Sequence, residues 1–415
     1  MPSSYVAKMM ERRSLYGSLT LGVGVAFCLL VFGRSPLAAA DAGRIPTDVG
    51  EVLETLPVSI ARGPNGEIKA LRRALAARPD DLPRAVRLAR LDIGLARERS
   101  DPRYLGHAQA ALAPWWNAED APVEVLVLRA TIEQSLHDFD SALRDLDRAV
   151  QRDPQHVQAW LTRAVVLTVR GRYGEARESC AHVAPLTSEL VLAVCTTGID
   201  SVTGHAGEAG ARLTGVLARN PELAREERSW ALSSLGEYAV RANRLDEAAA
   251  HFAETIALDP DDSYARAAAA DLALDRGDPQ AALELVRGRE INDTLLLRIA
   301  IAERRAATPE AKAHTDQLAA RFAASKLRGD VVHRREESRF QLDLMDDPAE
   351  ALALAIANWE VQKEPADVRV LLDAARAAHR PEAASGVLAW IAQTKLEDPF
   401  IARVASELRG TDAAP

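Results

Sequence analysis

The strongest constraint on the fold of this 415-residue chain is that its sequence repeats itself. The segments Leu136–Pro154 and Ala242–Pro260 share an alanine, a large apolar residue four positions later and a closing proline. Units with related patterns begin, at intervals of 34, 33, 39 and 34 residues, at Val123, Val157, Leu190, Ser229 and Ser263. A repeat of this period predicts an array in which each unit buries its apolar face only against its neighbours.

Within each unit the sequence favours helices over strands. Segments rich in alanine, leucine, arginine and glutamate show helical periodicity, whereas valine and isoleucine are sparse. Gly171, Gly204 and Gly277 stand where one helix would turn into the next, and a positive φ costs glycine little. Pro154 and Pro260 follow the second helix, which they end because proline lacks an amide donor. Each unit is therefore predicted to be a helical hairpin.

The pattern resembles the tetratricopeptide repeat, a helix–turn–helix unit of about 34 residues. In the unit that starts at Val157, the signature positions hold Trp160, Ala164, Gly171, Tyr173, Ala176 and Cys180. In that family, small residues at the eighth and twentieth positions let two helices approach closely. Large residues at the fourth and twenty-fourth positions fill the gap between hairpins. The resemblance implies an all-α fold, a right-handed α-solenoid of stacked helix–turn–helix hairpins.

The rest of the chain is organised around this array. Residues 123–290 are predicted to form the tetratricopeptide repeat core, between degenerate helical hairpins at 67–122 and degenerate helical repeats at 291–410. Divergent units are expected at the ends, because they cap a face that has no further neighbour. The remaining segments are predicted to be a signal peptide, a lead-in linker and a short tail, at 1–40, 41–66 and 411–415.

The N-terminus has the features of an export signal. Three basic residues precede an apolar stretch, Leu19–Phe32, and Ala38–Ala40 supply a small-residue cleavage pattern. Cleavage after this pattern predicts an exported, periplasmic protein. The alternative is an uncleaved helix that anchors the chain to the inner membrane, since the apolar run reaches 18 residues when counted from Leu15. Arginine outnumbers lysine 45 to 6, which is typical of a bacterial genome with high GC content.

The overall charge argues against a polyanionic partner. The chain carries 51 Lys and Arg residues against 60 Asp and Glu residues, a net charge of −9 at pH 7. Nucleic-acid-binding proteins usually carry a basic stripe or a basic domain, so no nucleic acid is expected as a partner. A membrane is expected as a partner only through the N-terminal segment, if that segment is not cleaved.

No catalytic motif is recognisable, so we predict a protein that is not an enzyme and that holds no cofactor or metal. Gly204–Gly210 is glycine-rich, but it spans a turn between helices instead of following a strand, as a phosphate-binding loop does. Cys180, His182, Cys195 and His205 could be imagined as a zinc site. However, Cys180 and His182 are two positions apart on a helix and point to different faces.

Cys180 and Cys195 leave two interpretations open. Cys180 takes the core-facing twenty-fourth position of one repeat, and Cys195 lies in the first helix of the next repeat, which should pack against it. Two buried thiols are the favoured interpretation. A disulfide is the alternative, because an exported protein folds in an oxidising compartment.

The resemblance also implies a concave groove, lined by particular positions of the first helix of each repeat. The residues at these positions that we expect to contact a partner are Gln158, Leu161, Thr162, Val165, Trp230, Ser233, Glu237 and Tyr264. Some family members grip the C-terminal carboxylate of a chaperone through Lys, Arg and Asn, which these positions lack, so that function is not carried over. A groove of mixed apolar and hydroxyl character predicts a scaffold or adaptor that binds a protein or peptide partner.

Two other functions stay open, a structural spacer in an envelope assembly and a cell-wall glycan-binding protein. Trp230 and Tyr264 occupy the second position of consecutive repeats, where the core does not need an aromatic, and they are expected to contact the partner. The alternative for Trp230 is that it packs on the extra residues of its repeat, Ala224–Arg228.

Overall fold

The structure is a computed structural model that describes residues 64–99, 101–329 and 333–411. The predicted signal peptide and residues 41–63 of the predicted linker lie outside the described residues. The described residues form α-helices and two short 3-10 helices, Ala184–Leu186 and Pro381–Ala384, and they contain no strand. None of the described helices combines the length and the apolar character needed to cross a bilayer.

Twenty-one α-helices follow one another in the described residues. They are α1 (Pro64–Ala77), α2 (Leu82–Arg99), α3 (Arg103–Ala111), α4 (Ala113–Trp116), α5 (Val123–Ser135), α6 (Phe139–Arg152), α7 (Val157–Val169), α8 (Tyr173–Val183), α9 (Glu189–Ser201), α10 (Ala206–Arg219), α11 (Arg225–Arg241), α12 (Leu245–Leu258), α13 (Ser263–Asp275), α14 (Pro279–Val286), α15 (Asp293–Ala306), α16 (Ala311–Leu327), α17 (Arg334–Asp343), α18 (Pro348–Val361), α19 (Pro365–Ala377), α20 (Ser385–Thr394) and α21 (Pro399–Thr411). Most helices pack against the next one along the chain, so the molecule is a stack of helical hairpins, an all-α solenoid.

Alternate helices face the inside of the solenoid. We call them the inner helices, and they are α2, α5, α7, α9, α11, α13, α15, α17 and α19. The five repeats found in the sequence correspond to the hairpins α5–α6, α7–α8, α9–α10, α11–α12 and α13–α14. Helix α11 starts at Arg225, before the repeat start at Ser229, because the extra residues form an added first turn.

Short acidic side chains start several of these helices. Asp138 accepts a hydrogen bond from the Ser141 amide at the start of α6. Asp262 accepts hydrogen bonds from the amides of Tyr264 and Ala265 at the start of α13. These carboxylates satisfy amides that have no partner within the helix and interact favourably with the positive end of the helix dipole. The hairpin boundaries are therefore specified by nearby residues.

The helices cross at residues with small side chains. At the eighth and twentieth positions of the repeats, the following residues are 0% exposed: Ala130, Ala142, Ala176, Ala248, Ala270 and Ala282. At the twenty-fourth position, Leu146, Leu213 and Phe252 fill the space between hairpins and are almost fully buried. Burying such a side chain contributes about 1.5–3 kcal/mol. Because a single hairpin cannot bury both of its faces, the stability of the array comes from stacking.

Gly236 shows how tight these crossings are. It takes the eighth position of its repeat, inside α11, and faces Phe252 of α12. A β-carbon at position 236 would lie 2.7 Å from Cδ1 of Phe252, well inside the distance at which carbon atoms repel. Glycine is therefore the residue that lets these two helices meet without displacing the ring.

Towards its C-terminus the chain comes back against its own earlier hairpins. We call these contacts the seam, and they join residues 361–401 to the turn regions at residues 169–173, 202–206 and 239–252. The Lys363 amide donates a hydrogen bond of 2.7 Å to the carbonyl of Val169. The Arg170 guanidinium donates one of 3.0 Å to the carbonyl of Val361. A main-chain carbonyl and an arginine side chain at the end of α7 thus hold the connection between α18 and α19.

A second part of the seam lies at the start of α10. The Glu397 carboxylate accepts a hydrogen bond of 3.1 Å from the amide of Ala206, the first residue of that helix. A negative charge at a helix N-terminus stabilises the fold by about 0.3–1 kcal/mol. Gly204, with a φ of +82°, allows this approach, because a β-carbon there would lie 2.8 Å from Cβ of Lys395. Glycine is needed here for its backbone conformation and for the close contact.

Apolar side chains fill the rest of the seam. Val202, at the end of α9, lies in an apolar cluster with Leu396 and Ile401 from the C-terminal region. Phe400 of α21 lies in another cluster with Ala239 and Phe252. The open concave groove that the sequence predicts is therefore closed along one edge by the chain's own C-terminal helices.

Replacing Gly236 by alanine tests the helix crossing. We expect Gly236→Ala to destabilise the protein by about 1–3 kcal/mol, because overpacking against Phe252 outweighs the gain in helix propensity of about 1 kcal/mol. Gly94→Ala is the matched control, since Gly94 lies inside α2 and nothing lies within 4 Å of the added β-carbon. That variant should be stabilised by about 0.5–1 kcal/mol. Urea unfolding measures both changes, and equal stabilisation would contradict a tight crossing at Gly236.

Candidate functional site

The inner helices and the seam surround a cavity of about 1190 Å³. Residues from α2 near one end of the described chain to α21 at the other end line it. Small-molecule sites in proteins usually have volumes of about 300–1,000 Å³. The cavity is larger than this range and has room for a short segment of polypeptide.

One part of the cavity wall is apolar, and we call it the apolar wall. Its residues come from five helices and are Leu161, Val165, Val194, Trp230, Tyr264, Leu272 and Phe400. Apolar side chains that converge on one space favour a ligand with apolar groups, because binding removes both surfaces from water. The two aromatic residues at the second position of consecutive repeats, Trp230 and Tyr264, both belong to this wall.

Two hydrogen-bond donors at the cavity have no acceptor among the described residues. Trp230 is 1% exposed, and its indole N–H makes no hydrogen bond. The hydroxyl of Tyr173, which also lines the cavity, is buried without a partner in the same way. A buried donor without a partner costs about 1–3 kcal/mol. Both unsatisfied donors belong to residues that line the cavity.

Another part of the wall is a network of ion pairs. Asp271 of α13 contacts Arg298 of α15 at 2.7 Å and Arg339 of α17 at 2.9 Å. One turn further along α13, Asp275 contacts Arg369 of α19 at 2.9 Å. Burial acts to raise the pKa of Asp271, but the two guanidinium groups outweigh it and lower the pKa to about 2. Arg369 also contacts Asp373 of its own helix at 2.6 Å. Each of the three guanidinium groups therefore has a carboxylate partner, and the pairs tie four inner helices together.

Five of the eight residues expected in the groove line the cavity, and they are Leu161, Val165, Trp230, Glu237 and Tyr264. Glu237 is held in an ion pair of 2.9 Å with Arg241 of the same helix. The other three are not part of the lining. Gln158 donates a hydrogen bond of 2.9 Å to Thr162 on its own helix, and Ser233 is 2% exposed.

Trp230 is buried, whereas an aromatic residue in an open groove is expected to be exposed. The structure buries its side chain, whereas Tyr264 is half-buried. The second position of the repeat faces the cavity in both repeats, but only Trp230 is covered within the monomer. Trp230 is part of the cavity wall and not of an exposed surface.

Cys180 and Cys195 form a disulfide, with their Cα atoms 5.9 Å apart. The favoured interpretation from sequence, two buried thiols, is therefore wrong. Both interpretations place the two sulfur atoms where neighbouring helices touch. The positions of the cysteines in the repeats could therefore not distinguish a disulfide from two thiols. The bond links α8 to α9, and Cys195 lies at the cavity. A crosslink across about 15 residues stabilises a fold by about 3 kcal/mol when it restricts the unfolded chain.

Sequence reasoning did not identify the ion-pair network or Tyr173 as parts of the site. The available signal was the spacing of Asp271 and Asp275, one helical turn apart on an inner helix. Their arginine partners come from three other helices, which no local pattern connects to α13. Within the residues that the structure describes, no group of three His, Cys, Asp or Glu side chains is placed to hold a metal ion.

Comparison with solved structures finds similar chains of low sequence identity. One is a tetratricopeptide repeat protein from Parabacteroides merdae ATCC 43184, with 12% identity over 74% of this chain and 99% of that chain, at a TM-score of 0.37. Another is yeast Tom70, with 11% identity over 83% of this chain and 85% of that chain, at a TM-score of 0.38. A third is the human IFIT1 dimer with PPP-AAAA, with 15% identity over 70% of this chain and 72% of that chain, at a TM-score of 0.43.

No curated protein matches the sequence significantly. A family model does match, described as "Tetratricopeptide repeat", over residues 127–187 and 233–290. These residues fall on the hairpins α5 to α8 and α11 to α14, where the small residues of the repeat are buried at the helix crossings. Residues 127–187 and 233–290 therefore contain tetratricopeptide repeats, within a longer stack of helical hairpins.

Proposed function

We propose that this protein is an exported, non-enzymatic scaffold that binds an extended segment of a protein partner inside the cavity. The tetratricopeptide repeat fold suggests a scaffold for protein–protein interaction. The observation that carries the finer proposal is the combination, at one cavity, of the apolar wall and two donors without acceptors.

An extended peptide matches this combination in two ways. Its side chains alternate in direction along the chain, so that every second residue can meet the apolar wall. Its carbonyl oxygens can accept hydrogen bonds from the indole of Trp230 and the hydroxyl of Tyr173, which have no acceptor among the described residues. A small apolar molecule without acceptors would leave both donors unsatisfied, which is why we favour a peptide.

The charged groups at the cavity support binding of a protein in preference to catalysis or binding of nucleic acid. Arg298, Arg339 and Arg369 are held by aspartates, so they stabilise the wall instead of presenting an anion site. The net charge of −9 also disfavours association with a polyphosphate. We propose a protein partner for these reasons. A structural spacer and a cell-wall glycan-binding protein are the alternatives.

We further propose that the protein works in the periplasm. Disulfides persist in oxidising compartments, and the bond between Cys180 and Cys195 supports this location. The basic and apolar pattern of residues 1–40, with its small-residue cleavage site, supports the same location. Retention of that segment would place the scaffold at the inner membrane instead.

Photo-crosslinking from the cavity tests the proposed function. A benzophenone amino acid in place of Tyr264 in the producing cell should form an adduct with one protein in stoichiometric amount. The matched control is Glu284, which is exposed on α14, the outer helix of the same hairpin. Adducts with a protein from Glu284 and none from Tyr264 would contradict binding in the cavity. Adducts with glycan fragments would favour the glycan-binding alternative, and no adduct from either position would favour a spacer.

N-terminal sequencing of the protein recovered from the producing cell tests the proposed location. We expect the mature chain to begin at Asp41, directly after the small-residue pattern. A chain that begins at Met1 and sediments with the membrane fraction would contradict cleavage and support the anchored alternative.

A further inference from the structure

The seam turns the inner helices from α7 to α19 into a closed circuit of contacts around the cavity. Each of these helices contacts the next inner helix along the chain, from α7 through α9, α11, α13, α15 and α17 to α19. The hydrogen bond from the Lys363 amide to the Val169 carbonyl then joins the residues just before α19 to the end of α7. The circuit therefore has two sides, the α7–α11 side and the α15–α19 side, which meet at α13 and at the seam.

The α7–α11 side presents little charge to the cavity. The residues of α7 and α9 that line the cavity are all uncharged. The charged residues that α11 contributes to the lining, Glu237 and Arg241, form an ion pair with each other at 2.9 Å. The members of the apolar wall that belong to this side are Leu161, Val165, Val194 and Trp230. Apolar groups of a ligand that contact this side are removed from water, which favours binding.

The α15–α19 side presents paired charges instead. It lines the cavity with six arginines, and they are Arg298, Arg305, Arg335, Arg339, Arg369 and Arg376. All six have a carboxylate oxygen within 3.4 Å. A guanidinium has five N–H donors and a carboxylate has about four acceptor sites, so one pair leaves hydrogen-bonding capacity for further partners.

Uncharged polar groups fit the α15–α19 side better than charged groups do. A carboxylate of a ligand would have to displace one of the carboxylates that already hold the arginines. An ammonium group of a ligand would meet six guanidinium groups of the same sign. Burying a charge without a partner of its own is costly, whereas an uncharged polar side chain can use the remaining donors and acceptors.

A segment that lies between these two sides needs different chemistry on its two faces. In an extended chain, successive side chains point to opposite faces. Apolar residues at every second position would meet the α7–α11 side, and uncharged polar residues between them would meet the α15–α19 side. This alternation is the pattern of a β-strand that has one buried face.

We propose that the cavity selects a partner segment in which apolar and uncharged polar residues alternate. The inference rests on the proposed function, because it describes which segments the same cavity accepts. In a folded protein such a strand has its apolar face buried and its backbone paired with neighbouring strands. The cavity therefore receives the segment before the partner's own sheet has formed.

Binding of synthetic peptides to the full chain, followed by fluorescence anisotropy, tests this selectivity. The first probe is a labelled peptide of about ten residues in which leucine or valine alternates with serine or glutamine. The second probe has the same composition, with its apolar residues at the i, i+3, i+4, i+7 spacing of a helix. The third probe is the first with one central glutamine replaced by glutamate. We expect the first probe to bind at least about tenfold more tightly than either of the others.

Asp343→Asn tests the role of charge pairing on the α15–α19 side. It removes a carboxylate that lies 3.4 Å from Arg305, so that this guanidinium can pair with the glutamate of the third probe. We expect the variant to bind the third probe at least about tenfold more tightly than the unmodified chain does. Asp346→Asn is the matched control, because Asp346 pairs with Arg304 at 2.6 Å and neither residue belongs to the cavity lining. It should bind the third probe as weakly as the unmodified chain.

The same probes can overturn the inference. Equal binding of the first and second probes, equal binding of the first and third probes, or binding of no probe would contradict the proposed selectivity. No gain in binding of the third probe by Asp343→Asn would contradict it as well.

Crosslinking from position 264 separates this inference from the proposed function. If a protein partner is crosslinked there but the probes bind equally, the selectivity is wrong and the cavity remains the partner site. If no partner is crosslinked and no probe binds, both proposals fail.

Discussion

Each central hairpin depends on a crossing where at least one of the two helices has a very small side chain. Ala142, Ala176 and Ala248 are fully buried at such crossings, and Gly236 meets the Phe252 ring with no space for a methyl group. The crossing recurs about once per 34-residue repeat, so each hairpin stacks on the previous one with a similar small rotation, and these rotations add up to a curved array. Curvature turns one set of helices towards a common interior, and the cavity lies there.

The seam closes one edge of the concave groove that this curvature would otherwise leave open. In a solenoid each repeat contacts mainly its neighbours, yet here Glu397 caps the helix that begins at Ala206, across 191 residues of sequence. A main-chain hydrogen bond, a helix cap and two apolar clusters act together along the same edge. The result is a partly closed cavity whose wall includes the buried Trp230 and the ion pairs around Asp271.

Much of the fold could be predicted from the sequence because it depends on residues that are close along the chain. The alanines at the eighth and twentieth positions and the turn glycines act within one repeat, and they are buried or have positive φ in the structure. The seam could not be predicted in this way. The sequence predicts a turn glycine at position 204, and the structure confirms it. Its close approach to Lys395 involves a residue that is distant in sequence, so no local pattern could indicate it. The partial closure of the groove and the contact of Asp271 with Arg339 also depend on residues from other hairpins.

Amide hydrogen exchange at the seam tests most directly whether the C-terminal helices close the groove. The amide of Lys363 lies in the connection between α18 and α19, where its hydrogen bond to Val169 depends on the seam. Exchange is compared in the unmodified chain, in Gly204→Ala and in Gly277→Ala. Gly277 has a similar φ of +78° with nothing within 4 Å of an added β-carbon, so its variant introduces backbone strain without the clash.

If the seam closes the groove, the amides of Lys363 and Ala206 are protected in the unmodified chain and in Gly277→Ala, and they lose protection in Gly204→Ala. Exchange of Lys363 in the unmodified chain at the rate of an open loop, or equal protection in all three proteins, would contradict this closure.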